Sequence, residues 1–118
     1  MIRTLLAMAL AASPVATLAQ DAAAPPLNLE QRMLLRCSAA FALVAGGQER
    51  GEAQALRWPA MGERGREFFV RAAAQVMDQA HLDRDQLAAA LQAEADDITA
   101  SGTLDQVMPP CLALLPEE

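Results

Sequence analysis

Two cysteines, at positions 37 and 111, constrain this chain more than any other feature. Cys37 lies in the middle of a helix-period apolar run, and Cys111 follows a proline pair at the far end of the sequence. Bonding them turns everything between into a closed loop of about 75 residues, which stabilises a fold by about 4 kcal/mol on the chain-entropy model. Net stabilities of small domains are on the order of 5 to 15 kcal/mol, so that share is large. The alternatives are two buried free thiols or a metal pair, and two cysteines with one distant histidine make a poor zinc set.

Which alternative holds depends on compartment, and the first residues speak to that. Met1, Ile2 and Arg3 form a short basic start, residues 5–12 are apolar, and Ala16 and Ala19 place small residues just before Gln20 and Asp21. This is the three-part pattern of a secretory signal peptide over residues 1–19, cleaved near Ala19. The apolar run is broken by Ser13 and Pro14 and is shorter than the roughly 20 residues a membrane anchor needs. No cysteine stands near the cleavage position to carry a lipid. The expectation is export to the periplasm with no stable membrane anchor after cleavage, through a compartment in which Cys37 and Cys111 form a disulfide.

The formal net charge is −6, and cleavage removes one arginine and no acid. An acidic exported domain is a poor nucleic-acid binder, because phosphates demand a basic patch. The same sign argues against adsorption to an anionic membrane surface.

With 118 residues there is room for one domain, and 53% of them are apolar. Aromatics are scarce, three Phe and one Trp without Tyr, so the core must be built from Leu, Ala, Val and Met. That favours close helix packing over a strand-rich sandwich. Residues 20–27, with Pro25 and Pro26, have no periodicity and read as a disordered or extended lead-in. Residues 28–116 read as an all-α domain, a small bundle of three main helices plus short helical turns, closed by the disulfide.

Asn28 and Gln31 have capping-box spacing, so the first helix starts there. Leu29, Met33, Cys37, Ala40 and Val44 make one stripe, yet Leu35, Ala39, Ala42 and Leu43 lie off it. A helix apolar over so much of its surface is central, with neighbours on both sides. Gly46 and Gly47 are expected to end or loosen it. Residues 48–57 are either a frayed continuation or a short second helix, and Trp58 before Pro59 breaks the chain.

The second long helix is expected over residues 60–80. Phe68, Phe69, Ala72, Ala73, Val76 and Met77 share its apolar half, with Gly62 and Gly65 admitting a neighbouring backbone. No strand precedes these glycines, which argues against a phosphate loop. Asp83 and Gln86 form a second capping box, with Leu82 and Leu87 at staple positions. A third helix therefore runs from Asp83 or Arg84 to about residue 100, with Gly102 as its stop and Leu87, Leu91, Ala95 and Ile98 as its stripe. Thr103 and Gln106 start a short turn through Met108, which Pro109 and Pro110 kink or interrupt before an apolar turn resumes at Cys111.

Candidate chemistry is thin. His81 is the only imidazole, and a triad would need Ser38 or Ser101 and a carboxylate beside it; at a helix end a cation merely complements the dipole. Asp83, Asp85, Asp96 and Asp97 lack the glycine and terminal glutamate of a calcium loop, and acids in a first helical turn are ordinary. No catalytic residue, cofactor or metal is expected.

Two charges break the pattern. Arg66 falls on the apolar side of the second helix and Glu94 beside Leu87 and Ile98 on the third, and the expectation is that they pair across that interface, or else each snorkels from its stripe's edge. Arginines also crowd the middle of the chain, whereas the residues beyond Asp78 hold one arginine, Arg84, and no lysine. Arg57, Arg64 and Arg71 are the candidates for docking a charged partner, the plainer reading being a solvated face.

The export signal, the helical mature chain and a cysteine near each end, Cys37 and Cys111, give the sequence a loose resemblance to small bacterial periplasmic proteins of the HdeA type of acid-stress chaperone. That resemblance implies partner binding after acid loosens a dimer. The chain is similar also to exported helical proteins with the same cysteine plan. Its cysteine separation is wider than in the HdeA type, and Trp58 lies far from the first cysteine. The functional expectation is a non-enzymatic periplasmic binding protein whose partner is another periplasmic protein. An acid-stress chaperone, or an accessory subunit of a periplasmic enzyme, is the alternative.

Overall fold

In the computed structural model, residues 26–117 are described. The expected signal peptide and residues 20–25 of the lead-in lie outside the described residues. Pro26 and Leu27 precede the first helix, Asn28 is extended, and the Asn28 side chain accepts from the Gln31 amide at 2.8 Å while the Gln31 side chain accepts from the Asn28 amide at 3.0 Å. This closed capping box starts α1, Leu29–Glu49.

Four further helices follow: α2, Ala53–Leu56; α3, Gly62–Ala80; α4, Arg84–Ser101; and α5, Leu104–Leu112. No strand occurs among the described residues. Every other helix packs on α1. Leu35, Cys37, Ala40, Phe41 and Val44 are completely buried, so the helix that reads as apolar on several faces is the centre of the bundle.

Around Cys37, Phe41 and Val44 the main core gathers Met61, Ile98, Val107, Met108 and Cys111, with the Phe41 and Phe68 rings edge to face at 5.1 Å. A second core around Leu35 takes in Val76, Ala80, Leu82 and Leu87, where α3 turns back into α4. Removing a buried phenyl such as Phe41 costs about 3 to 5 kcal/mol. The disulfide expected between Cys37 and Cys111 is present, its Cα atoms 5.2 Å apart, and it ties α5 to the middle of α1.

Three local expectations are corrected. Gly46 and Gly47 do not end α1, which continues to Glu49. A Cβ on Gly47 would stand 2.7 Å from the Ala55 Cβ, so its bareness lets α2 press against α1, and that packing offsets the glycine's propensity cost. Of the two glycines on α3, only Gly65 meets a neighbour, at 3.1 Å from the Phe41 Cβ; Gly62 faces open space at the start of the helix.

The third correction is at Pro109 and Pro110, which lie inside α5 without interrupting it. The carbonyls they leave without a helical donor belong to Asp105 and Gln106, both exposed, so the missing bonds fall on the solvent side of the helix. Meanwhile Val107, Met108 and Cys111 stay buried on the other side.

Candidate functional site

The seam of α3 that presses on α1 is Gly65, Ala72 and Val76, and each flank of the helix beside it borders a hollow. At about 100° per residue, Arg64, Phe68, Arg71 and Gln75 fall on one flank and Gly62, Arg66, Phe69 and Ala73 on the other.

The first flank forms a slot of about 190 Å³ with Leu34 of α1 and with Leu114, Leu115 and Pro116, which follow α5. Its floor is apolar, from Leu34, Phe68 and Leu115, and its rim is Arg64, Arg71 and Gln75, with Glu67 between the two guanidiniums. Arg64 donates to the Pro116 carbonyl at 3.2 Å and so holds the segment after α5 in place. Arg71 is exposed and has no ion-pair partner among the described residues. Such a slot suits an anionic group attached to an apolar one.

Of the three arginines expected to form a docking row, Arg64 and Arg71 therefore come together. Arg57 stands apart, at the end of α2, with its guanidinium 3.3 Å from the Asp105 carboxylate of α5.

Arg66 and Glu94 do not pair. Glu94 accepts from Arg36 of α1 at 2.9 Å, with Arg32 at 3.8 Å, and Asp97 joins the same Arg36 guanidinium at 2.8 Å. The reason is placement: α1 runs beside α4 along that edge, so the acid that looks inward on α4 meets α1 rather than α3. The hydrogen bond to Asp97, and then that to Glu94, hold the Arg36 guanidinium above its already high ordinary pKa, so its charge is fixed. Arg66 is exposed on the second flank.

His81 is the left-handed residue that terminates α3, at φ 55°, and it is exposed. Its role there is backbone geometry, with the next amide, that of Leu82, reaching back to the Met77 carbonyl. Asp83 caps α4. Among the described residues no three His, Cys, Asp or Glu side chains are grouped so as to hold a metal ion, and no helix is long and apolar enough to cross a membrane.

Two participants were not legible in the sequence. Gln48, in a polar stretch with no periodicity, organises the connector between α1 and α3 through four hydrogen bonds. Leu114 and Leu115, the end of the apolar turn that resumes at Cys111, form one wall of the slot together with Pro116; their apolar content is plain in the sequence but the wall they make is not. No protein-family model, curated protein or solved structure matches the chain.

Proposed function

We propose that the chain is an exported periplasmic binding domain without catalytic chemistry of its own, which docks an acidic segment of another periplasmic protein in the slot rimmed by Arg64 and Arg71. The observation that carries this reading is the distribution of arginine charge. Arg32, Arg36, Arg50 and Arg57 are each tied to a carboxylate, whereas Arg71, like Arg66 and Arg84, has no ion-pair partner among the described residues, and of these three it is Arg71 that lines the apolar slot, on a molecule of net negative charge. A locally positive rim on an acidic domain selects a negative partner and rejects positive ones. Both thiols are spent in the disulfide and the one imidazole terminates a helix, which supports a binding role over nucleophilic or acid–base chemistry.

The test is retention of protein from periplasmic extract on the immobilised, oxidised domain, with the Arg71→Glu variant alongside. The expected result is a polypeptide held by the wild type, lost with Arg71→Glu and released by salt, since exposed charge contacts are screened. Equal retention by both forms, or none by either, would discard the reading.

A further inference from the structure

Where the end of α1 meets α2 and the turn from α4 into α5, the molecule holds another cleft, of about 300 Å³, which shares no lining residue with the slot at Arg64 and Arg71. Leu43, Ala55, Ile98 and Leu104 make part of its lining apolar, and Trp58, the only tryptophan of the chain, joins them. Trp58 is half-buried and packs against the main core, so part of the indole is used by the fold while the rest borders the cleft. Its backbone is held from both sides. The Trp58 amide donates to the Ala55 carbonyl at 3.2 Å, and its carbonyl accepts from the Gln48 side chain at 3.1 Å.

Some polar groups around this platform are unspent. The indole N–H meets no acceptor among the described residues and is not shut away from water. The side chains of Gln54 and Thr99, both exposed on the cleft, also make no hydrogen bond among the described residues.

The charged groups on the rim are already matched. Glu52 is bonded by Arg50 at 2.9 Å and Asp105 by Arg57 at 3.3 Å, so each anion lining the cleft has its own cation. Such a pair has no net charge to offer an ion, yet it sets N–H donors beside carboxylate oxygens. That is the complement of a hydroxyl group, which both donates and accepts.

These features narrow the ligand. A simple ion or a zwitterionic amino acid would have to break one of the pairs to find its counter-charge. A wholly apolar molecule would cover the indole N–H, Gln54 and Thr99 and leave them without partners, at a desolvation cost. A pyranose ring meets both demands: its C–H face is apolar and presents slightly positive hydrogens to the negative face of an aromatic ring, while its hydroxyls stand round the edge. Ligand clefts start at about 300 Å³, which leaves room here for a sugar ring and not for a helix. We propose that this cleft binds a neutral sugar, with the C–H face of the ring on Trp58 and the hydroxyls bonded to Gln54, Thr99 and the Arg50–Glu52 pair.

The chain has one Trp and no Tyr, so its indole fluorescence comes from the cleft itself. The test is titration of the oxidised protein with glucose, galactose, mannose, N-acetylglucosamine and cellobiose. Glycerol, a polyol without a ring face, and sodium glutamate, an ion, are the controls. The expected result is a saturable change in emission with at least one sugar and with neither control. Saturation-transfer NMR on that sugar is expected to be strongest at the C–H protons of one face. Thr99→Arg, at an exposed helical position where a long side chain fills the cleft, is expected to weaken binding roughly tenfold or more with unchanged helical circular dichroism. Trp58→Leu is expected to abolish the NMR transfer. No saturable response to any of the sugars, an equal response to glycerol or glutamate, or binding that survives Thr99→Arg would overturn the proposal. Arg71→Glu lies outside this cleft and leaves sugar binding unchanged, so this inference and the reading of the slot fail separately.

Discussion

Gln48 shows how much of this fold rests on one polar side chain. Its amide nitrogen donates toward the carbonyls of Ala55, Trp58 and Pro59 at 3.1, 3.1 and 2.9 Å, and its oxygen accepts from the amide of Met61 at 3.0 Å. An amide group has two hydrogens, so at least one is shared among three acceptors. Beyond the single turn of α2 the connector is irregular, and Pro59 has no amide to give. Met61 itself is fully buried where α3 starts, so its backbone donor has no ready substitute in water. Gln48→Ala is expected to lower stability by about 2 kcal/mol, one unsatisfied buried donor plus the lost acceptor bonds. Gln48→Glu should cost at least as much, because it keeps the acceptor for Met61 but turns a carboxylate toward three carbonyls. Denaturant titration reads both as a lower midpoint at constant slope. A loss within the ordinary range for surface substitutions would mean that the connector is held by the packing of Trp58 alone.

At the scale of helices, what the sequence disclosed and what it hid divide along a physical line. The starts of α1 and α4 were legible because a capping box is local chemistry, complete within four residues. The centrality of α1 was legible too, since its breadth of apolar surface has no other outlet. The run of α1 through Gly46 and Gly47, and of α5 through Pro109 and Pro110, was hidden: local propensity opposes both, and contacts from distant residues decide them, Ala55 in one case and the buried Cys111 in the other. The partner of Glu94 was hidden for a related reason. A helical wheel shows that an acid lies near the apolar edge of α4 but not which helix runs beside it, and Arg36 and Arg66 are equally plausible until the packing is known. The candidate slot was half legible: Arg64 and Arg71 sit seven residues apart on one flank, whereas its third wall is a segment with no periodic signal. The pairing observed makes a specific expectation. In a double-mutant cycle, Arg36→Met and Glu94→Gln should show a coupling of about 1 kcal/mol, a charge-assisted bond discounted for partial exposure. The same cycle with Arg66→Met should show none. Coupling in the second cycle and not the first would mean that α4 lies against α3 in solution.

At the scale of the whole molecule, the disulfide does more than close a loop. α5 has nine residues, contains two prolines and is too short to hold a helical form unaided. It stays in place because Val107 and Met108 enter the main core and because Cys111 is bonded to Cys37 across a separation of 74 residues. The wall made by Leu114, Leu115 and Pro116 hangs from the end of α5, so the slot on α3 exists only while α5 is docked. Replacing both cysteines, Cys37→Ala with Cys111→Ala, is expected to lower global stability by about 4 kcal/mol through the greater freedom of the unfolded chain. The loss is not uniform. Amide exchange in the double variant should quicken most over Leu104–Leu112, while α1, α3 and α4, which bury the second core among themselves, keep the larger part of their protection. Retention of the acidic partner should fall along with α5, even though Arg64 and Arg71 are untouched. If exchange instead quickens evenly over all the helices and partner retention survives, α5 is an integral part of one cooperative unit and the slot does not depend on the wall that follows it.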